Sequence, residues 1–287
     1  GLPFINIGSH SLELREQCRP TTFHVQPSAA AWIDAIVQLY GVDSGPTSWY
    51  VLYYSDDAEA ERWAAAAAER IAAAGDELVA SVAIEQYRPV YFDLLDDAEA
   101  QGADAVMILL DPADQLALMG QAEDAGYDLT LAPYPDMLTQ TREFLAASKR
   151  YGVAVDVPRL NLWEPALEGE RAEDLNNRFG GQWGLPFDSP AWATFQGVTV
   201  LAEAARLADS IAAEAVLEAL LQVDAGALGG KTEGQFFSAA THELPQEVYA
   251  VAVNADNEWG IRLSAQIDAG VLVRVIPPVA DGLGCRP

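Results

Sequence analysis

The chain has 287 residues, 51% of them hydrophobic, which is enough for one large domain or two medium ones and argues against a disordered protein. Its 43 acidic and 16 basic residues give a formal net charge of −27, which argues against nucleic acid or an anionic membrane surface as a partner. No apolar run approaches the roughly 18–20 residues of a membrane span, so no direct insertion into a membrane is expected.

The acidity of the chain has two explanations that the sequence leaves open. An acidic surface suits a protein that works in high salt, where screening relieves the repulsion between like charges. The amino-acid usage of a GC-rich genome would produce the same composition. The chain opens at Gly1 without a positively charged segment or a signal peptide, so we expect a mature form, a trimmed chain or a cytosolic protein.

The first half of the chain alternates predicted strands and helices. Residues 2–8 and 22–25 predict short strands, and Ser28 is a good N-cap for the helix that follows. Residues 49–54 form a continuous apolar run, typical of a strand buried on both faces. The next predicted elements are a helix at 57–74, a strand at 77–85, a helix at 90–101, a strand at 104–110, a helix at 112–125 and a strand at 127–131. Strands that each precede a helix predict a parallel sheet flanked by helices.

The second half of the chain is first helical and then changes character. Helices are predicted at 136–149, 168–182, 190–208 and 211–222, with one strand at 158–163 between the first two. Antiparallel strands and hairpins are predicted near the C-terminus, at 236–237, 248–253, 259–267 and 271–276. The sequence therefore predicts an α/β fold with parallel sheets and a small antiparallel extension.

Acidic residues follow the predicted parallel strands. Asp56 and Asp57 come directly after the strand at 49–54, Asp111 follows the strand at 104–110, and Asp136 follows the next strand. In open sheets of this kind ligands bind outside the carboxyl ends of the strands. These carboxylates could therefore bind an amine or a metal cation. The alternative is that Asp56 or Asp57 caps a helix and that the others lie on solvated loops.

Polar residues also follow the first predicted strand. Backbone N–H groups and hydroxyls at Gly8, Ser9 and His10 suit a carboxylate, although an ordinary polar turn is an equal alternative. A Ser–His hydrolase pair is not expected, because no G-x-S-x-G elbow occurs and strand neighbours point to opposite faces. No zinc spacing, P-loop or dinucleotide motif is present, so no metal and no cofactor are predicted. Trp163, at a strand end, is placed near a cleft, with a core position as the alternative.

The two cysteines lie near opposite ends of the chain. Cys18 and Cys285 both occur in polar segments that we expect to be exposed loops. We therefore predict a disulfide between them, which would indicate an oxidising compartment, while two free buried thiols are the alternative.

Several segments, taken in chain order, carry a family resemblance: 3–9 (Pro-Phe-Ile-Asn-Ile-Gly-Ser), 22–28 (Thr-Phe-His-Val-Gln-Pro-Ser), 49–57, 102–106 and 111–112. Together they resemble the type I periplasmic substrate-binding proteins of ABC transporters, most closely the branched-chain amino-acid group. Segments 159–163, 175–179 and 190–193 resemble, more weakly, a subgroup associated with quinoprotein alcohol oxidation.

The resemblance implies two α/β lobes that close on a solute by a hinge motion. Residues 1–27 and 163–228 would form lobe 1, and residues 28–162 and 229–287 would form lobe 2. The crossovers between the lobes fall near residues 26–28, 162–165 and 228–231. Family members usually carry a further segment before the position of Gly1, so lobe 1 is expected to lack its N-terminal part.

The resemblance also implies a set of ligand-binding residues. The family's loop for the ligand carboxylate falls on Gly8, Ser9 and His10. Its aromatic contacts from the second lobe fall near Glu59 and on Asp111, and its acidic contact to the ligand amine falls near Tyr134 to Asp136. Asp56 joins this set from its place at a strand end. Since acids replace aromatic residues at two of these positions, the resemblance favours a polar or cationic solute over a branched-chain amino acid.

Two functions from different classes therefore remain at this stage. The resemblance implies a periplasmic, non-enzymatic and monomeric protein that captures a small polar solute, amino-acid-like or cationic, for the membrane permease of an ABC transporter. The alternative is an α/β hydrolase whose acidic strand ends hold a metal such as magnesium. A ligand-sensing domain without a transporter would give the same sequence pattern as the first.

Overall fold

The computed structural model describes residues 1–41, 45–150, 158–185, 187–252 and 271–277. Within these ranges the strands are β1 (Phe4–Asn6), β2 (Thr22–His24), β3 (Ser48–Tyr54), β4 (Glu77–Ile84), β5 (Ala105–Leu109), β6 (Thr130–Pro133), β7 (Arg159–Asn161), β8 (Val248–Ala252) and β9 (Val271–Ile276). The helices are α1 (Leu12–Glu16), α2 (Ala29–Tyr40), α3 (Ala58–Ala74), α4 (Phe92–Ala100), α5 (Pro112–Ala125), α6 (Arg142–Arg150), α7 (Glu170–Trp183), α8 (Ser189–Leu207), α9 (Ala213–Leu220) and α10 (Ala225–Gly229).

A four-stranded parallel sheet with the order β4-β3-β5-β6 forms the centre of the fold. Alternate residues of β3 face opposite sides of this sheet, as the pleat of a strand requires. Trp49 and Val51 belong to a hydrophobic cluster with α2 and α3, whereas Tyr50 and Leu52 belong to one with α4 and α5. The prediction of a parallel sheet covered on both faces is therefore confirmed.

Two smaller sheets complete the strand topology. Strands β1 and β2 form a parallel pair, and helix α8 packs closely on β1. A Cβ atom on Gly197 would lie 2.7 Å from a methyl group of Ile7, so the small residue permits this approach. Strands β7, β8 and β9 form an antiparallel sheet, which confirms the predicted antiparallel strands near the C-terminus.

The helices of the described residues do not include one that is both long enough and apolar enough to span a membrane.

The structure differs from the sequence-based elements in places where side chains bond to the backbone. The helix predicted from residue 136 begins only at Arg142, because Asp136 accepts a hydrogen bond from the Leu138 amide at 2.8 Å and forms a turn. Residues 236–237 are not a strand; the Phe237 ring packs edge-on against Phe23 at 5.2 Å. The short helices α1 and α10 were not predicted. The strand predicted at 259–267 lies outside the described residues.

Candidate functional site

The loop after β1 is organised by the buried side chain of Asn6. Its Oδ1 atom accepts hydrogen bonds from the backbone amides of Gly8 (3.3 Å) and Ser9 (2.9 Å), and its Nδ2 atom donates to the Ser9 carbonyl at 2.8 Å. This is an Asx-type turn, in which a side chain replaces a backbone partner. The amides of Gly8 and Ser9, which the sequence suggested for a solute carboxylate, are therefore bonded within the chain.

His10 lies at the centre of the candidate site and is only 5% exposed. Its Nδ1 atom is 2.8 Å from the Tyr134 hydroxyl, and its Nε2 atom is 2.5 Å from Nε2 of Gln26. With the Gln26 amide nitrogen donating to Nε2, the imidazole proton lies on Nδ1 and is donated to the Tyr134 oxygen. Burial first, and then the Arg15 charge, lower the pKa of His10 to about 3, so the ring is neutral at pH 7.

A series of contacts joins Tyr134 to Glu59 and to the start of helix α1. Tyr134 stacks on Trp63 with 4.7 Å between ring centroids, and Nε1 of Trp63 donates to the Glu59 carboxylate at 3.2 Å. The same carboxylate accepts a hydrogen bond from the backbone amide of Leu12, the first residue of α1. Three predicted residues, His10, Glu59 and Tyr134, are thus joined by direct contacts or through one intervening group.

The remaining acidic residues lie at the ends of the neighbouring strands. Asp111 is the N-cap of α5 and accepts from the amides of Ala113 and Asp114, both at 3.1 Å. Burial raises the pKa of Asp136, and the Asp111 charge raises it further, as expected of two carboxylates at adjacent strand ends. Asp57 caps α3, and Asp56 is exposed beside it.

Trp163 lies away from these contacts. Its side chain is 1% exposed, stacks on Trp192 at 5.7 Å and contacts Phe187 edge-on at 5.9 Å. Its indole nitrogen donates to Asn176 at 3.2 Å. The structure therefore places this predicted ligand residue within an aromatic part of the hydrophobic core.

Arg15 is a residue that sequence reasoning missed. Its guanidinium donates to the carbonyls of Ser9 (3.2 Å), Ser11 (2.9 Å) and Gln26 (2.6 Å), and its Nε atom donates to Glu243 at 2.5 Å. It thereby fastens the loop that carries His10 to the segment after β2. A charged residue of this kind gives no local signal, because its carboxylate partner is 228 positions away in the chain.

Two further expectations concern metals and cysteines. Among the described residues, no group of three or more His, Cys, Asp or Glu side chains is placed to hold a metal ion. Cys285 lies outside the described residues, so the Cys18–Cys285 disulfide stays a prediction.

The buried histidines predict a pH dependence of stability. Burial, followed by the Arg15 charge, lowers the pKa of His10 and His24 from 6.5 to about 3 in each case. The unfolded chain therefore binds protons at pH values where the folded chain does not, so the free energy of unfolding should fall as the pH decreases from 6.5 towards 3. Asp136 and Asp188, whose pKa values are raised by burial, act in the opposite direction.

Chemical denaturation at a series of pH values, for the parent and a His10→Gln variant, tests this expectation. The variant should lose less free energy of unfolding than the parent over the acidic range. Parallel curves would show that the buried imidazole does not control the dependence.

Comparison with known proteins identifies the family of the chain. The family model described as "Periplasmic binding protein" matches residues 1–258. A comparison with curated proteins finds no significant match. Members of the matching family bind small molecules, work with ABC transporter permeases outside the cytoplasm, and are not enzymes.

Solved structures share the fold at low sequence identity. A branched-chain amino acid ABC transporter periplasmic ligand-binding protein from Burkholderia xenovorans LB400 is 16% identical, with a TM-score of 0.78 over 96% of this chain and 70% of that one. An ABC transporter substrate-binding protein from Sphaerobacter thermophilus is 19% identical, with a TM-score of 0.77 over 97% and 74%. An ABC transporter solute-binding protein from Rhodopseudomonas palustris BisB5, in complex with 3,4-dihydroxybenzoic acid, is 15% identical, with a TM-score of 0.73 over 97% and 73%. Because the family model covers most of its length, this chain belongs to the periplasmic binding protein family.

Proposed function

We propose that this chain is a periplasmic, monomeric solute-binding protein that delivers a small polar solute, amino-acid-like or cationic, to the permease of an ABC transporter. The observation that carries the proposal is the direct contact between His10, from the loop after β1, and Tyr134, from the loop after β6. Residues from the carboxyl ends of strands in two different sheets come together there, as expected where ligands bind in α/β proteins.

The charge of the surrounding residues supports a cationic or zwitterionic solute. Glu59, Asp111 and Asp136 are acidic, and the nearest imidazole, His10, is neutral at pH 7 because its pKa is lowered to about 3. The amides of Gly8 and Ser9 are already bonded to Asn6, and the Leu12 amide is bonded to Glu59. An amine would therefore find more partners here than a carboxylate would.

The lobe boundaries belong to the same proposal. Residues 1–27 and 163–228 would form one lobe, and residues 28–162 and 229–287 the other, with closure bringing the loop after β1 against the ends of β3, β5 and β6. The parallel pair β1–β2 and the four-stranded sheet are separate sheets, which supports this division.

Native mass spectrometry of the freshly purified protein tests the proposal by searching for a retained small molecule. Isothermal titration with amino acids, polyamines, metal ions and 4-hydroxybenzoate would then rank the solute classes. The aromatic acid is included because a Rhodopseudomonas palustris solute-binding protein with this fold is known in complex with it. Binding of metal ions alone, or of no member of the panel, would contradict the proposed solute class.

Asp111→Asn should weaken binding of the preferred solute by about 1.5–3 kcal/mol, the range for a hydrogen bond to a charged group. Asparagine is also a good N-cap, so the melting temperature of the solute-free protein should hardly change. Asp188→Asn is the matched control, because Asp188 caps α8 in the same way, accepting from the Ala191 amide, and lies outside the predicted site. Equal affinities for the parent and the Asp111 variant would remove Asp111 from the site.

A further inference from the structure

A small pocket with a basic lining lies beside α1 and β2. Its volume is about 140 Å³. It is lined by two arginines and two histidines, Arg15, Arg19, His24 and His242, and by five uncharged residues, Cys18, Pro20, Thr22, Ala240 and Thr241. None of the described residues that line it is acidic. In a chain with a net charge of −27, a pocket lined by two arginines and no acidic residue is an exception to the overall charge.

The contact between Asn6 and His24 fixes which nitrogen of the His24 ring carries the proton. The Asn6 side chain is oriented by the Gly8 and Ser9 amides, so its Nδ2 atom is a donor and its 3.0 Å contact is to an accepting Nδ1 of His24. The proton of the neutral ring is then on Nε2. His24 is buried, at 3% exposure, and is one of the residues that line the pocket.

The backbone at the pocket wall is held in an uncommon conformation. Cys18 and His242 are two of the few residues other than glycine with positive φ in the described part of the chain, at 44° and 55°. The His242 ring stacks on Phe23 at 4.3 Å with nearly parallel planes, which fixes its position at the wall. Strained positions of this kind persist where surrounding contacts enforce them, often at ligand-binding places.

We propose that this pocket binds a small tetrahedral oxyanion of the size of inorganic phosphate or sulfate. The donors are the exposed guanidinium of Arg19, the Nε2–H of His24 and the imidazole of His242. Charge-assisted hydrogen bonds from guanidinium and imidazole groups are the usual means of binding such anions. Arg15 supplies further positive charge, partly offset by its ion pair with Glu243.

The proposed anion site is separate from the proposed solute site, but one residue, Arg15, contacts both the pocket and the loop that carries His10. Arg15 lines the pocket and also donates to the carbonyls of Ser9 and Ser11, on either side of His10. The proposal does not depend on the identity of the transported solute, and each can fail without the other.

Thermal melting of the full chain at pH 7 with increasing inorganic phosphate tests the proposal. Sodium chloride holds the ionic strength constant, because screening alone should stabilise so acidic a protein. The expected result is a saturable rise in melting temperature with phosphate and with sulfate, beyond the chloride reference. Coincident phosphate and chloride curves would overturn the proposal.

Arg19→Ala is the variant that tests the site itself, because Arg19 is exposed and its removal should leave the fold intact. Phosphate binding should weaken about tenfold or more, the fold-change expected for one charge-assisted hydrogen bond. Arg178→Ala is the matched control: it removes the same charge from an exposed arginine on α7 and should bind phosphate like the parent. As a second measurement, the imidazole NMR signals of His24 should shift on addition of phosphate. Equal weakening in both variants would indicate general charge effects and would overturn the assignment.

Discussion

Replacing Arg15 by methionine should lower the free energy of unfolding by about 3–5 kcal/mol, as expected when one partner of a buried ion pair is removed. The Arg15 side chain is 3% exposed, and the change would leave the Glu243 carboxylate without its charged partner. It would also leave the carbonyls of Ser9, Ser11 and Gln26 without this donor. Urea denaturation monitored by circular dichroism measures the loss.

Arg62→Met is the control for this prediction. Arg62 pairs with Glu16 at 2.5 Å, as Arg15 pairs with Glu243, but the two side chains are 42% and 50% exposed. Exposed pairs contribute about 0–1 kcal/mol, so this variant should be almost as stable as the parent. Similar losses in the two variants would mean that the burial of Arg15 adds nothing to the stability of the fold.

Trp163→Ala should lower the free energy of unfolding by about 3–5 kcal/mol, the usual cost of removing a large aromatic side chain from a core. Its ring contacts Trp192 and Phe187, and the cavity left behind would be bounded by rigid aromatic rings that cannot collapse easily. Thermal and urea denaturation of the solute-free protein measure this loss.

Trp183→Ala is the matched control, because Trp183 is 65% exposed and should be replaceable at little cost. Trp163 was predicted to lie near the ligand cleft, and the same variants test that prediction. If the Trp163→Ala protein keeps the stability of the parent but loses solute binding, Trp163 belongs to the ligand site and not to the core.

The centre of the parallel sheet could be predicted because β3 and β5 are continuous apolar runs. All five residues of β5 are buried, so both faces of the strand are apolar. A continuous apolar run of this kind can be recognised in the sequence. The predicted helices at 57–74 and 112–125 agree with α3 and α5, because both end at glycines in the left-handed conformation, Gly75 and Gly126.

The candidate site was less visible in the sequence, since its contacts join distant parts of the chain. His10 and Tyr134 are 124 positions apart. His10 was named from its place after the first strand as well as from the family resemblance, whereas Tyr134 was named from the resemblance alone. Asn6 could have been found, because an asparagine before a Gly-Ser pair favours an Asx turn. Gln26 and Arg15 could not, because their roles depend on carbonyl and imidazole groups that only the folded chain brings near.

Because the Leu12 amide donates to Glu59, the Glu59 carboxylate competes with any solute carboxylate for this donor. A solute carboxylate that needs this amide must displace Glu59, which then loses the Leu12 donor and keeps the Trp63 donor. The measured affinity for such a solute is then the difference between two similar interactions and not the full strength of one. An amine-bearing solute faces no such exchange, since it would use Glu59 as a partner instead of displacing it.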